Sequence, residues 1–100
     1  MKIAVAGLAL ALSIAPAFSI APAYADDPAF CRHYADLALW QYHKAKDIPN
    51  CYQGDNAVWT PNFDHHFTWC LGVSHGQAMA GEDIRGNRLK QCNMAAYGHL

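Results

Sequence analysis

Between His65 and Cys70 the chain reads HHFTWC, two imidazoles, a thiol and two aromatic rings in six residues. Imidazole and thiolate are the usual ligands of zinc and copper, and the bases and nucleophiles of hydrolytic enzymes. Spacing decides whether either chemistry is arranged here. Structural zinc sites draw paired ligands from C-x2-4-C or H-x3-5-H knuckles. Cys31, Cys51, Cys70 and Cys92 instead stand about 20 residues apart, and His66-x3-Cys70 is the nearest approach to a knuckle. His33, His43, His65, His66, His75 and His99 contain no H-E-x-x-H or H-x-x-x-H pair. A weak surface site at His65, Asp64 or His75 is what the histidines leave open for a metal. Ser74, His75 and Asp64 supply the residue types of a hydrolase, but no G-x-S-x-G elbow is present and so short a chain has little body for an oxyanion hole. No catalytic residue, no cofactor and no built metal site is expected, and the chain reads as a non-enzyme.

The thiols take their meaning from the compartment. Residues 1–25 have the form of a secretory signal peptide: Lys2 gives a positive start, Ile3 to Ile14 an apolar run, and Pro16 and Pro22 precede an Ala23-Tyr24-Ala25 cleavage site. The apolar run is shorter than the roughly 20 residues of a membrane-spanning helix, and no run of spanning length follows. The expected product is residues 26–100, exported to the periplasm or secreted, with no membrane span in the mature chain.

That product is small. Below about 70 to 80 residues, apolar burial alone rarely stabilises a domain, so a staple is expected. An even number of cysteines in a short exported chain reads as two disulfides. Six Lys and Arg against eight Asp and Glu in residues 26–100 give a net charge near −2, with the signs interspersed. There is no basic stripe for a nucleic acid.

The elements that must position these residues are helices. Asp27-Pro28 is an N-cap followed by a first-turn proline, and the helix then runs without a breaker to Pro49. At 100° per residue its apolar face carries Phe30, Cys31, Tyr34, Ala35, Leu37, Ala38, Gln41, Tyr42 and Ala45, with Arg32, Asp36, His43 and Lys44 opposite. Ile48 to Trp59 holds Pro49, Asn50, Gly54, Asp55 and Asn56 and reads as a long loop, functional or pinned. Thr60-Pro61 repeats the cap signature and starts a second helix containing HHFTWC. A third helix is expected to begin between Gln77 and Glu82 and to reach Cys92 or slightly beyond, with Glu82 and Asp83 early and Arg85, Arg88 and Lys90 late to suit its dipole. No β-type alternation occurs. The fold class is all-α: a three-helix, disulfide-stapled domain with one long loop between helices one and two.

On the second helix Phe63, Phe67, Cys70, Leu71 and Ser74 share one arc, His65 faces water, and His66 lies at the edge of the arc. A buried imidazole needs hydrogen-bond partners. Gln41, anomalous at the centre of the first helix's apolar face, is the candidate. Either the two satisfy each other and fix the helix docking, or Gln41, His66, Trp59, Trp69 and Tyr34 line a small binding pocket. Tyr52, Trp59 and Phe63 in or near the loop form a stacking platform for a glycan or peptide, or else cover the open end of the core.

Three disulfide pairings are possible for four cysteines. If the helices run up, down, up, Cys31 lies at the bottom of the first helix and Cys51 past its top, about 22 Å away. Cys70 is back at the bottom and Cys92 at the top. Disulfides need Cα atoms within about 4.4–6.8 Å, so this order pairs Cys31 with Cys70 and Cys51 with Cys92. A loop that folds back locally would instead pair Cys51 with Cys70.

Cys31-Arg32-His33-Tyr34-Ala35, then Gln41, Trp59, His66-Phe67-Thr68-Trp69-Cys70-Leu71, Arg85, Leu89 and Cys92 resemble a recurrent small exported bacterial domain of unknown function, with the pattern C-x-x-Y-A, Q, W, H-x-x-W-C, R, L and C. The resemblance spans nearly all of residues 26–100 and implies a small, helical, cysteine-paired fold without assigning an activity. The expected role is a binding or structural accessory module of the cell envelope or extracellular space, its partner an envelope or extracellular protein or a glycan. The alternative is a small periplasmic metal- or ligand-binding protein.

Overall fold

A computed structural model describes residues 27–100. The expected signal peptide, residues 1–25, lies outside them. Three helices follow in order: α1 Pro28–Asp47, α2 Phe63–Leu71 and α3 His75–Tyr97. No strand occurs among the described residues, and none of these helices is long and apolar enough to cross a membrane.

α1 begins as its sequence directs, with the Asp27 carboxylate accepting from the Phe30 amide at 2.8 Å and Pro28 in the first turn. It stops at Asp47 because Ile48, standing before Pro49, is held extended. Its buried residues Cys31, Tyr34, Ala35, Ala38, Gln41, Tyr42 and Ala45 recur at three- and four-residue steps, the stripe read from the sequence. α2 and α3 both pack on it.

The other two helix starts differ from expectation. α2 is capped by Asn62, whose Oδ1 accepts from the His65 amide at 3.1 Å. Thr60 is outside the helix because its carbonyl is taken by the His66 ring at 2.9 Å, while its hydroxyl accepts from the Asn62 amide. α3 starts at His75, ahead of the expected window, because Ser74 and Gln77 form a capping box: Ser74 Oγ accepts from the Gln77 amide and Gln77 Oε1 from the Ser74 amide. It runs on to Tyr97, where Gly98 closes it in the left-handed conformation at φ 77°. The expected dipole arrangement is therefore corrected. Glu82 and Asp83 stand mid-helix, and no basic side chain lies in the last turn.

The disulfides pair Cys31 with Cys70 and Cys51 with Cys92, with Cα separations of 5.5 and 5.4 Å. Same-level neighbours are joined, as an up, down, up order requires. Each bridge sits within its own apolar cluster. One end of the molecule gathers Cys31, Tyr34, Cys70 and Ala78, with Phe30, Phe67, Leu71 and Val73 packed around them. The other gathers Ala45, Ile48, Cys51, Leu89 and Cys92, with Trp59 against them. Along α1 and α3 the residues between these clusters include buried Gln41 and Arg85. The core is two disulfide-centred ends with a polar layer between.

The loop from Ile48 to Asn62 is pinned at both halves. Tyr42 and Tyr52 both donate to Asp55 Oδ1, at 2.8 and 2.6 Å, and Arg88 donates to the Cys51 carbonyl. Those two phenols hold the Asp55 carboxyl below its ordinary range. Asn56 Oδ1 then accepts from the amides of Val58 and Trp59, closing a turn, and the two histidines of α2 take the carbonyls of Ala57 and Thr60.

Candidate functional site

Over Tyr34 of α1, a cavity of about 390 Å³ opens between α2 and α3. Its most buried lining residues are Tyr34, His66 and Arg85, each 2 % exposed. Trp69, Ile84 and Val58 are exposed large hydrophobic residues that also line it, Trp69 at 41 % and Ile84 at 59 %. The shape depends on Gly81. A Cβ built there would lie 2.6 Å from Tyr34 Oη and 3.5 Å from the Trp69 ring, so the absent side chain lets α3 approach both rings. Gly81 is where α3 crosses the aromatic pair.

Of the five residues expected to share a pocket, Tyr34, His66 and Trp69 line this cavity together. Trp59 does not: it packs on the Ala45–Leu89 cluster at the other end. Gln41 is buried behind the lining, where its Oε1 accepts from Arg85 Nε at 2.7 Å and its Nε2 donates to the Glu82 carbonyl at 3.3 Å. The expected Gln41–His66 pair does not form. A guanidinium is a charged donor, so its hydrogen bond to the amide is stronger than a neutral imidazole's, and the His66 ring turns to the Thr60 carbonyl instead. The suggested aromatic platform is also divided. Tyr52 meets Tyr42 edge-on, Phe63 stacks on Phe67 at 5.9 Å, and Trp59 is elsewhere.

From the sequence Arg85 reads only as a cation suited to the dipole of α3 and as one position of the resemblance. It is instead the buried centre of the site. Its guanidinium lies over the Tyr34 ring, Cζ 5.0 Å from the centroid. Its Nη2 is buried and has no hydrogen-bond partner. The signal that could have found it is the heptad-like step from Ala78 through Arg85 to Leu89 and Cys92, which puts a cation on the buried stripe of α3.

The two histidines divide as their projections require. His65 is exposed and binds Ala57 O at 2.9 Å; His66 is buried, with Tyr34 edge-on to its ring. A carbonyl only accepts, so His66 Nε2 carries the proton of the neutral ring. Burial pushes His66 below its ordinary pKa, the Thr60 carbonyl partly opposes this, and Arg85 adds to the lowering. The neutral form is favoured in the folded state. His66→Ala is therefore expected to lower the midpoint of thermal unfolding by the equivalent of about 1 kcal/mol or more beyond His65→Ala. Because the folded pKa is depressed, the contribution of His66 is present above about pH 6.5 and is lost as pH falls toward the folded value. The unfolding midpoint should accordingly fall more steeply between pH 7 and pH 5 for the wild type than for His66→Ala. Equal midpoints for the two alanine variants would contradict the burial assignment.

The remaining reactive side chains are engaged elsewhere. All four cysteines are bridged, the Ser74 hydroxyl belongs to the capping box, and the His75 ring packs 4.2 Å from Phe30. Among the described residues no group of three His, Cys, Asp or Glu side chains is placed to hold a metal ion. The arrangement over Tyr34 is that of a small binding cavity with an apolar mouth and one buried cation. No protein family, curated protein or solved structure matches the chain.

Proposed function

We propose that the chain is an exported accessory module of the cell envelope or extracellular space that holds a small ligand between α2 and α3. The observation that carries this reading is the 390 Å³ cavity with Tyr34, His66 and Arg85 at its base. Binding sites are concave, largely apolar and supplied with a few convergent polar groups, typically in about 300–1,000 Å³. This cavity is at the small end of that range. Two disulfides fit life outside a reducing cytoplasm, and the signal-like residues 1–25 agree. Export has a direct readout: the N-terminus of the protein recovered outside the cytoplasm should be Asp26, and a protein there still beginning at Met1 would remove the signal-peptide argument.

Ligand binding is tested by thermal shift with a library of small neutral and charged compounds, run in parallel on Ala80→Phe. Ala80 lines the cavity and is exposed, so the added ring fills the site without entering the core. A compound present at 100 times its Kd stabilises by about 2.7 kcal/mol, which in a domain of this size raises the midpoint by about 10 °C or more. Hits that stabilise the wild type and not Ala80→Phe support the reading. No hits, or hits that shift both proteins equally, overturn it.

A further inference from the structure

The least expected group in the cavity is a buried guanidinium. A three-helix core of this size has no packing need for one, because methionine or leucine would fill the same stripe of α3 without a desolvation cost. Arg85 is held by one neutral acceptor, Gln41 Oε1 at 2.7 Å, and by the face of Tyr34. Among the described residues it forms no ion pair, and its Nη2 lacks any partner. Glu82, one helical turn away, acts on it through space but does not reach it. The protein thus buries a positive charge and leaves part of its hydrogen-bonding capacity unanswered beside a cavity.

We infer that the cavity takes a small apolar monocarboxylate whose carboxylate is paired by the Arg85 guanidinium. This rests on the cavity being a binding site. The planar fork of an arginine matches a carboxylate in two parallel hydrogen bonds. Here the Nε end of the guanidinium is anchored before any ligand arrives. Gln41 fixes Nε, and Gln41 is itself fixed by the Glu82 carbonyl and by burial. Such preorganisation lowers the ordering cost of binding. The charge count argues against a phosphate dianion. Among the described residues Arg85 is the only Lys or Arg lining the cavity, and the buried histidine beside it favours its neutral form. The body of the ligand follows from the mouth, where Trp69, Ile84 and Val58 offer apolar surface and Trp69 continues the aromatic wall begun by Tyr34, their centroids 5.6 Å apart. An aromatic or branched aliphatic acid fits both ends.

The experiment compares acids with their own amides on the full exported protein at pH 7. Phenylacetate, 3-phenylpropionate, indole-3-acetate and 4-methylpentanoate are titrated by calorimetry, each against its primary amide, with inorganic phosphate as the anion lacking an apolar body. At least one acid is expected to bind with a Kd of about 1 mM or tighter, its amide at least about tenfold more weakly, and phosphate not at all. Arg85→Lys keeps the charge but loses the fork, and should weaken the acid toward the amide. The wild-type acid and amide comparison stands even where that variant fails to fold. Equal binding of acid and amide, both abolished by Ala80→Phe, would overturn the carboxylate assignment and leave the cavity a site for neutral ligands. Binding of no acid, together with no library compound that distinguishes Ala80→Phe, would overturn both readings.

Discussion

Gln41→Leu is expected to destabilise the protein more than Arg85→Met, although arginine is the larger and charged partner. Removing Gln41 leaves the guanidinium buried without its one side-chain acceptor, and stranding a buried charge typically costs about 3–5 kcal/mol. Removing Arg85 strands only the neutral Gln41 carbonyl, a loss of about 1–3 kcal/mol, and methionine refills much of the volume. The double variant Gln41→Leu/Arg85→Met leaves neither group unpaired. It should be more stable than Gln41→Leu alone and close to the wild type, since replacing a buried polar pair by apolar side chains is often neutral or favourable. Urea unfolding of the four proteins gives the coupling directly. Gln41→Leu being the milder single variant would mean that water already serves the guanidinium, and the carboxylate inference would lose its main support.

The same pair shows why the sequence was legible up to a point. Gln41 announced itself, because an amide at the centre of an apolar stripe is an exception that needs an explanation. Arg85 did not, because the start of α3 was placed too late. With the helix beginning as late as Glu82, Ala78 lies outside it and Arg85 reads as a cation suited to the dipole; with the Ser74–Gln77 box recognised, Ala78 joins Leu89 and Cys92 and completes the stripe on which Arg85 falls. A capping box is a local signal for a helix start that apolar periodicity alone does not carry, and the helix it starts meets Tyr34 and Trp69 at Gly81. The disulfide pairing was accessible because it depends on helix order and length, which the long periodic α1 sets firmly. The cavity was only partly accessible. Tyr34, His66 and Trp69 could be grouped from their projections, whereas Trp59 depends on the path of a 15-residue loop whose turns at Asn50 and Asn56 no periodicity describes.

Removing the Cys31–Cys70 bridge is expected to be more damaging than removing Cys51–Cys92, even though their loops are nearly equal. Sequence separations of 39 and 41 correspond, by loop entropy, to about 4 kcal/mol each, against a total stability of about 5–15 kcal/mol for a domain. The core offers little to compensate, since alanines and cysteines supply most of its buried apolar positions. What separates the two bridges is what remains when each is gone. α3 runs for 23 residues, and near Cys92 it keeps Leu89 against Ala45, Ile48 and Trp59. α2 has only nine residues, short of the roughly 12–15 that an isolated helix needs even to be marginal. Its buried residues are His66 and Cys70. Cys31→Ala/Cys70→Ala therefore releases α2 from α1 and with it the His66 and Trp69 wall of the cavity, whereas Cys51→Ala/Cys92→Ala loosens the loop and the far end of α3. We expect the first variant to lose its cooperative transition at 37 °C and the second to keep one at a reduced midpoint, at least about 1 kcal/mol more stable than the first. Near-ultraviolet circular dichroism, dominated here by tryptophans, and urea midpoints distinguish them. Equal midpoints would show that loop entropy alone governs both bridges and that α2 is held by more than its cysteine.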